Sequence, residues 1–136
     1  MAKQKIEDVE GIGPVIGGKL RDCGIADADA LLTEAKTPKQ RKALAERAGL
    51  SEKRLLKFAN MVDLYRISGV GAEFAELLEA SGVDTVPELA RRNPGELARK
   101  MAEVAKAKKL TRRVPTESEV TKWIAQAKEL PRVLSY

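Results

Sequence analysis

Apolar residues along the chain recur every three or four positions, the spacing that places side chains on one face of an α-helix. Two segments show it most clearly, and their apolar faces are Leu55, Leu56, Phe58, Ala59 and Val62, then Val120, Trp123, Ile124 and Ala127. No segment alternates apolar and polar residues in the manner of a half-buried strand. The pattern therefore predicts an all-α fold.

Capping residues, prolines and glycines divide this pattern into short helices. A Ser, Thr or Asp caps a helix, proline suits its first turn, and glycine ends it. These signals predict helices over residues 3–9, 14–23, 28–35 and 38–49 and a longer one after Ser51. Further on, Thr85 and Glu88 predict a capping box, in which the glutamate accepts from the backbone N–H of the threonine. Thr116 is expected to cap the last helix.

The helical pattern occurs twice in the chain. Gly11, Gly13, Leu20, Gly24 and Leu31 each stand 58 residues before an identical residue. Farther along, Phe58 stands 65 residues before Trp123, so the second copy carries seven extra residues, which we place within 104–113. We predict two pseudo-symmetric repeats, residues 1–66 and 67–136, packed as one compact bundle.

Each copy contains a Gly-x-Gly segment, Gly11-Ile12-Gly13 in the first and Gly69-Val70-Gly71 in the second. Glycine adopts positive φ without steric cost, so each segment predicts a sharp turn between two helices. The amides of such a turn and of the following helix N-terminus suit a phosphate. In the first copy Pro14 removes one of these donors. The alternative is that both turns are tight helix connections that serve packing alone.

These segments resemble the helix-hairpin-helix motif, an apolar-Gly-apolar-Gly signature followed by a small residue and apolar residues. The matching positions are Val9, 11–13, Gly17 and Leu20, then Ile67, 69–71, Ala75 and 77–78. The resemblance implies binding to DNA without sequence preference, through hairpin amides on phosphates. The stretches at residues 58–64, 91–94, 112–115 and 122–128 also look like those of a bacterial family of two helix-hairpin-helix repeats known as a domain of unknown function, and this second resemblance covers about residues 5–131. That resemblance implies the fold and no settled role.

The net charge of +5 permits an anionic partner, but the charge alternates along the chain. Residues 36–66 and 106–136 carry +6 and +5, whereas residues 1–35 and 67–105, which contain the hairpins, each carry −3. In the second hairpin helix Glu73, Glu76 and Glu79 compete with a phosphate for the amides. Charge therefore argues against the hairpins as phosphate sites acting alone.

Basic side chains outside the hairpins are the other candidates for phosphate contacts. The densest run coincides with the extra residues of the second copy. A run of charge is also typical of a solvated loop or helix face. The candidates are Lys19, Lys39, Arg41, Lys42, Lys53, Arg54 and Lys57, then Lys106, Lys108, Lys109, Arg112 and Arg113.

Catalysis is not expected, because the chain lacks histidine and its one cysteine, Cys23, has no partner base. The same composition excludes a Cys/His zinc site, and we expect no cofactor or small-molecule substrate. Cys23 is predicted to be a small buried residue. No apolar run reaches the length of a membrane span, so no membrane association is expected, and a reducing cytoplasm is the expected compartment.

Two functions remain open from the sequence. The first is a non-enzymatic module that binds nucleic acid, expected to be DNA, through its backbone rather than its bases. The second is a protein-interaction or scaffold module that keeps the helix-hairpin-helix fold without phosphate binding. The carboxylates of the second hairpin helix favour the second alternative.

Overall fold

A computed structural model describes residues 4–109 and 111–136. Residue 3 of the first predicted helix and Leu110 of the predicted insertion lie outside these residues. The described residues contain a 3-10 helix and eight α-helices and no strand, so the prediction of an all-α fold is confirmed. The helices are the 3-10 helix Ile6–Asp8, α1 Gly13–Asp22, α2 Ala28–Glu34, α3 Pro38–Ala48, α4 Glu52–Leu64, α5 Ala72–Ala80, α6 Val86–Ala90, α7 Pro94–Lys108 and α8 Glu117–Glu129.

The helices form two units. The first comprises residues Met1–Asp63 together with Arg132–Tyr136, and the second comprises Leu64–Pro131. The division thus falls at the end of α4. The C-terminal residues, which the sequence analysis places at the end of the second repeat, belong to the first unit.

In the first unit an aliphatic core holds short helices together. Helix α1 packs against the 3-10 helix and α3, and α2 also packs against α3. The core side chains Leu20, Leu31, Leu44 and Leu55 are all fully buried. Each comes from a different helix at the helical spacing seen in the sequence, so burial of one apolar stripe per helix accounts for the packing.

Arg41 joins the C-terminal segment to the first unit. Its guanidinium donates to the carbonyl oxygens of Ala35 and Lys36 at 2.9 and 3.2 Å, and to that of Ser135 at 2.6 Å. Arg41 is only 5% exposed, and Leu134 of the C-terminal segment is 3% exposed. The arginine therefore supplies a donor to the buried carbonyl of Ala35, while Lys36 O also accepts from the N–H of Ser135 at 2.8 Å.

In the second unit α8 packs against α6 and α7, and α5 packs against α7. Leu78, Leu89, Leu97 and Val120 contribute fully buried side chains from four different helices. Helix α7 has 15 residues where α3 has 11. Part of the predicted insertion is therefore extra helix, and the remainder lies in the segment between α7 and α8.

Most of the predicted caps are present. The side chains of Asp27, Thr37, Ser51 and Thr116 each accept from a backbone N–H three residues later. The predicted capping box at Thr85 is wrong, because that side chain makes no capping hydrogen bond. Thr85 is buried, and the Glu88 carboxylate accepts instead from the N–H of the preceding residue, Asp84, at 3.2 Å.

The prediction that Cys23 is buried is also wrong. Cys23 follows the last residue of α1 as its C-terminal cap and is half-buried. Its N–H donates to Leu20 O at 2.9 Å, and Gly24 follows with φ +84°. At this glycine the chain turns so that the next residue, Ile25, is buried in the core, whereas the Cys23 side chain remains partly exposed.

Candidate nucleic-acid interface

Both Gly-x-Gly segments form sharp turns. Gly11 and Gly69 have φ of +89° and +96°, a conformation that residues with a Cβ rarely adopt. In the first turn Ile12 N–H donates to Val9 O at 3.0 Å, and in the second Val70 N–H donates to Ile67 O at 3.1 Å. Each turn therefore closes through a main-chain hydrogen bond across its glycine.

An aromatic ring lies directly beneath the first glycine of each turn. A Cβ on Gly11 would lie 3.4 Å from Phe58 Cε1, and one on Gly69 would lie 3.0 Å from Trp123 Nε1. Phe58 and Trp123 are both 3% exposed, as core packing predicts. Glycine is therefore favoured at both positions by its φ, and at Gly69 the close approach of the Trp123 ring also leaves little room for a Cβ.

Ile12 and Val70, predicted as contact residues, lie in the core. Their exposure is 4% and 5%, and their N–H groups are used within the turns. They anchor the turns, so we leave them out of the proposed contact surface. The second glycines differ, because Gly13 has φ +64° as the first residue of α1 and Gly71 is extended as the cap of α5.

The first hairpin combines a basic and an apolar exposed side chain on α1. Lys19 is exposed, and Val15 is 74% exposed. Nearby, Arg21 makes two hydrogen bonds to the Glu7 carboxylate, which lowers the pKa of Glu7 to about 2. Of the carboxylates that precede this hairpin, Glu7, Asp8 and Glu10, that of Glu7 is thus paired with a cation of the same unit.

A groove of about 610 Å³ lies beside the second hairpin. The predicted hairpin glycines and the predicted basic arm both line it, although they are about 40 residues apart in sequence. This convergence is the central observation on the candidate site. The groove is lined by Gly69, Gly71, Ala72, Glu73, Phe74, Thr111, Arg112 and Arg113.

Helix α5 begins in this groove. Its cap, Gly71, has no side chain to satisfy the N–H groups of the first turn. The first bond of the helix runs from Ala75 N–H to Gly71 O, so the N–H groups of Ala72, Glu73 and Phe74 have no acceptor within α5. The partial positive charge of a helix N-terminus therefore lies at the groove.

Arg112 pairs with Glu73 at the mouth of the groove. Its main-chain N–H and its Nη2 donate to the two carboxylate oxygens at 3.2 and 3.1 Å. These hydrogen bonds lower the pKa of Glu73. The Arg112 side chain remains 92% exposed. It is thus an exposed surface cation whose partner is an acidic side chain of the hairpin helix.

Arg113 is held much more firmly. Nη1 and Nη2 both donate to the Glu119 carboxylate, the second at 2.9 Å. The guanidinium also lies over the Phe74 ring, 5.2 Å from its centroid, and that ring contacts Trp123 at 5.3 Å. The pair raises the pKa of Arg113 and lowers that of Glu119 to about 2.

The three lysines of the arm lead toward this groove. Lys106 and Lys108 are in the last turn of α7, where their positive charges interact favourably with the helix dipole. Lys109 caps the helix with φ +54°, the one positive φ outside glycine among the described residues. All three are exposed, and they precede the groove residues Thr111, Arg112 and Arg113 in the sequence without lining the groove themselves.

The basic residues of the first unit are more dispersed. Five of the predicted contact residues are exposed, namely Lys39, Lys42, Lys53, Arg54 and Lys57. Arg54 lies over the Phe58 ring at 5.9 Å, and Lys53 lines a groove of about 330 Å³ beside Tyr136. Arg41 is buried and bonded to carbonyls, so we exclude it from the contact surface.

Sequence reasoning did not select Phe74, Thr111 or Glu119 as site residues. Phe74 belongs to the hairpin helix, and one signal could have indicated it, namely that aromatic residues are rare in this chain. Glu119 stands in the first turn of a predicted helix, where a carboxylate is expected without any binding role. Its pairing with Arg113 depends on the path of the segment between α7 and α8, which no periodicity describes.

The described residues contain no candidate membrane span and no candidate metal-binding cluster. None of the helices within residues 4–109 and 111–136 is long and apolar enough to cross a membrane. In the same part of the chain no three or more His, Cys, Asp or Glu side chains are grouped to hold a metal ion.

The fold and this groove define an all-helical protein with a basic groove beside a Gly-x-Gly turn. Residues 10–130 match the family described as "Domain of unknown function (DUF4332)". The match covers most of the chain, and the protein belongs to this family. No curated protein matches the chain, and no solved structure matches it.

Proposed function

We propose that this protein is a non-enzymatic module that binds the sugar–phosphate backbone of nucleic acid, with DNA as the expected partner. Each Gly-x-Gly turn with its flanking helices would be one helix-hairpin-helix motif. The single observation that carries the proposal is the convergence of the second hairpin and the basic arm on one groove. Neither feature alone would support a site, because glycine turns also serve packing and charge runs are usually solvated.

The groove offers two kinds of phosphate ligand. The N–H groups at the start of α5 and the glycine turn supply short-range donors, which suit a phosphate oxygen. Arg112 and the lysines of α7 supply charge, and each phosphate they neutralise releases counterions. Arg112 can exchange its carboxylate partner for a phosphate because the Glu73 pair is exposed to solvent and therefore weak.

The first hairpin is the second proposed contact. Lys19 and Arg54 are exposed cations of the same unit, and α1 has no acidic residue in its first turn. Pro14 removes one donor, whereas the second hairpin has Ala72 at the equivalent position and keeps that N–H. We therefore assign this hairpin a smaller share of the binding energy than the groove.

The test is a matched pair of charge reversals read by fluorescence anisotropy with a labelled duplex. The groove variant carries Lys108→Glu and Arg112→Glu, and the control carries Arg99→Glu and Lys100→Glu on α7, with the same change in net charge. We expect only the groove variant to lose affinity strongly. The dependence of its affinity on salt concentration should also weaken, by the amount that corresponds to about two phosphate contacts. Equal losses in both, or no binding to any nucleic acid at low salt, would reject the proposal.

A protein-interaction module is the second candidate function. Two observations favour it: the groove arginines already have carboxylate partners, and Val15 leaves a large apolar side chain exposed on α1. Capture from a nuclease-treated extract distinguishes the candidates. A protein partner survives the nuclease, whereas a complex bridged by nucleic acid does not.

A further inference from the structure

Arg113 differs from every other cation at the groove in how it is fixed. Both terminal nitrogens donate to Glu119, and Cζ lies over the Phe74 ring at 5.2 Å from its centroid. A guanidinium has five N–H donors, and those on both terminal nitrogens are at least partly engaged. Arg113 is therefore poorly placed to bind a phosphate, which would have to replace a two-point carboxylate pair.

The remaining surface of Arg113 is nevertheless open. The side chain is 57% exposed although it lies over Phe74 and bonds to Glu119. Arg113 also lines the groove, so part of its exposed surface faces the groove. A planar guanidinium held rigid by an aromatic ring and a carboxylate is a surface on which a nucleic-acid base can stack.

The layers beneath Arg113 make this surface rigid. Phe74 packs against Trp123 with an angle of 50° between the rings, and Trp123 is buried beneath Gly69. The stack thus runs from the buried core through Phe74 to Arg113, ending beside the glycine turn. Little conformational entropy remains to be lost when a base settles on it.

We infer that the groove of the second unit takes an unpaired nucleotide, with its base on the guanidinium face of Arg113 and its phosphate near Arg112 and the start of α5. This inference rests on the proposed function and names its substrate class as single-stranded nucleic acid. In a duplex the bases are already stacked and paired, so their faces cannot reach Arg113 without unpairing. The groove volume of about 610 Å³ lies in the range of small-ligand sites, which suits one nucleotide.

The experiment compares three labelled probes by fluorescence anisotropy at constant low salt. They are an oligothymidylate of about ten nucleotides, a strand of equal length in which abasic sites replace the thymines, and a duplex. The abasic strand keeps the phosphates and removes the bases. We expect the oligothymidylate to bind about tenfold more tightly than the abasic strand, the difference that base stacking supplies.

Two variants locate the effect. Arg113→Lys keeps the charge and the Glu119 partner but removes the planar guanidinium. The affinity ratio between the oligothymidylate and the abasic strand should therefore fall to about one. The matched control, Arg112→Lys, should keep the preference. Circular dichroism melting of both variants checks that the fold is retained.

Each result has a distinct meaning. Equal affinity of the unmodified protein for the oligothymidylate and the abasic strand would overturn this inference while leaving backbone binding intact. A preference that persists in the Arg113→Lys variant would overturn the role of Arg113. Failure to bind any of the three probes at low salt would overturn the proposed function itself.

Discussion

Arg112 binds the Glu73 carboxylate with two of its own groups, the main-chain N–H at 3.2 Å and the guanidinium at 3.1 Å. This pair ties the basic arm to the hairpin helix of the second unit. It also places a negative charge where the proposed phosphate would lie. The same contact therefore orders the groove and competes with its proposed ligand.

Replacing Glu73 with glutamine should increase affinity for nucleic acid. The change removes the competing charge and frees the Arg112 guanidinium, and we expect about threefold to fivefold tighter binding at low salt, because a pair this exposed is worth little. Anisotropy titrations measure the effect. Glu103→Gln on α7, an exposed carboxylate that does not line the groove, gives the same change in net charge and should have a much smaller effect. Unchanged or weaker binding by the Glu73 variant would contradict the prediction.

Adjacent glycines of α1 should respond in opposite ways to alanine. A Cβ on Gly18 meets no atom within 4 Å, whereas one on Gly17 would lie 2.8 Å from Glu7 Cγ. Gly18→Ala should therefore stabilise the protein by about 1 kcal/mol through helix propensity. Gly17→Ala should destabilise it by about 1 kcal/mol, since the clash displaces Glu7 from Arg21.

Chemical denaturation of the two glycine variants measures these changes. The control is a Glu7→Ala background, in which the obstacle is absent and Gly17→Ala should become stabilising as well. If Gly17→Ala remains destabilising there, its cost has another source than the Glu7 side chain.

Arg41→Met should destabilise the protein by about 1–3 kcal/mol. The change removes the donor to Ala35 O and Ser135 O, whereas Lys36 O keeps its bond from the N–H of Ser135, and a buried acceptor left without a partner costs about 1 kcal/mol or more. Thermal unfolding measures the loss. Lys42→Met changes the exposed neighbour on the same helix and should stay within about 0.5 kcal/mol. Similar effects of the two substitutions would show that Arg41 has no special structural role.

Protonation of Glu119 should account for part of the loss of folding stability in acid. Its pKa is lowered from 4.5 to about 2, first by the hydrogen bonds from Arg113 and then by the backbone N–H of Thr116. Because the folded-state pKa is the lower one, the contribution is present above about pH 4.5 and is lost as the pH falls toward about 2. Denaturant midpoints measured across this range should drop less for Glu119→Gln than for the unmodified protein.

The matched variant for this pH series is Glu117→Gln, an exposed carboxylate in the same first turn. It should leave the acid dependence close to that of the unmodified protein. Parallel curves for the unmodified protein and the Glu119 variant would mean that the pair with Arg113 does not stabilise the fold.

Much of the fold follows from local signals in the sequence. The helical spacing of apolar residues, the caps at Asp27, Thr37 and Thr116 and the turns at the glycines are properties of short segments. Such signals are decided by backbone conformation and by neighbouring side chains, so they survive in the folded protein. The Thr85 box failed because tertiary burial of that side chain overrode the local pattern.

The candidate site was less predictable. The sequence indicated the Gly-x-Gly turn and the arm separately, but not that Gly69 and Arg113 line one groove. Their proximity depends on the segment between α7 and α8, whose sequence has no helical spacing of apolar residues from which its path could be predicted. The carboxylate partners of both arginines depend on the same segment. Counting charges along the chain therefore separated acidic hairpin segments from basic segments, and it did not show that residues of both line the same groove.

The burial of Leu134 and the bonds of Arg41 to Ser135 have a consequence for biosynthesis. Residues 132–136 complete the first unit, yet the ribosome makes them only after every residue of the second unit. The first unit therefore obtains its final contacts only after the whole of the second unit has been synthesised. Cleavage after Pro131 would in turn loosen the unit that was translated first.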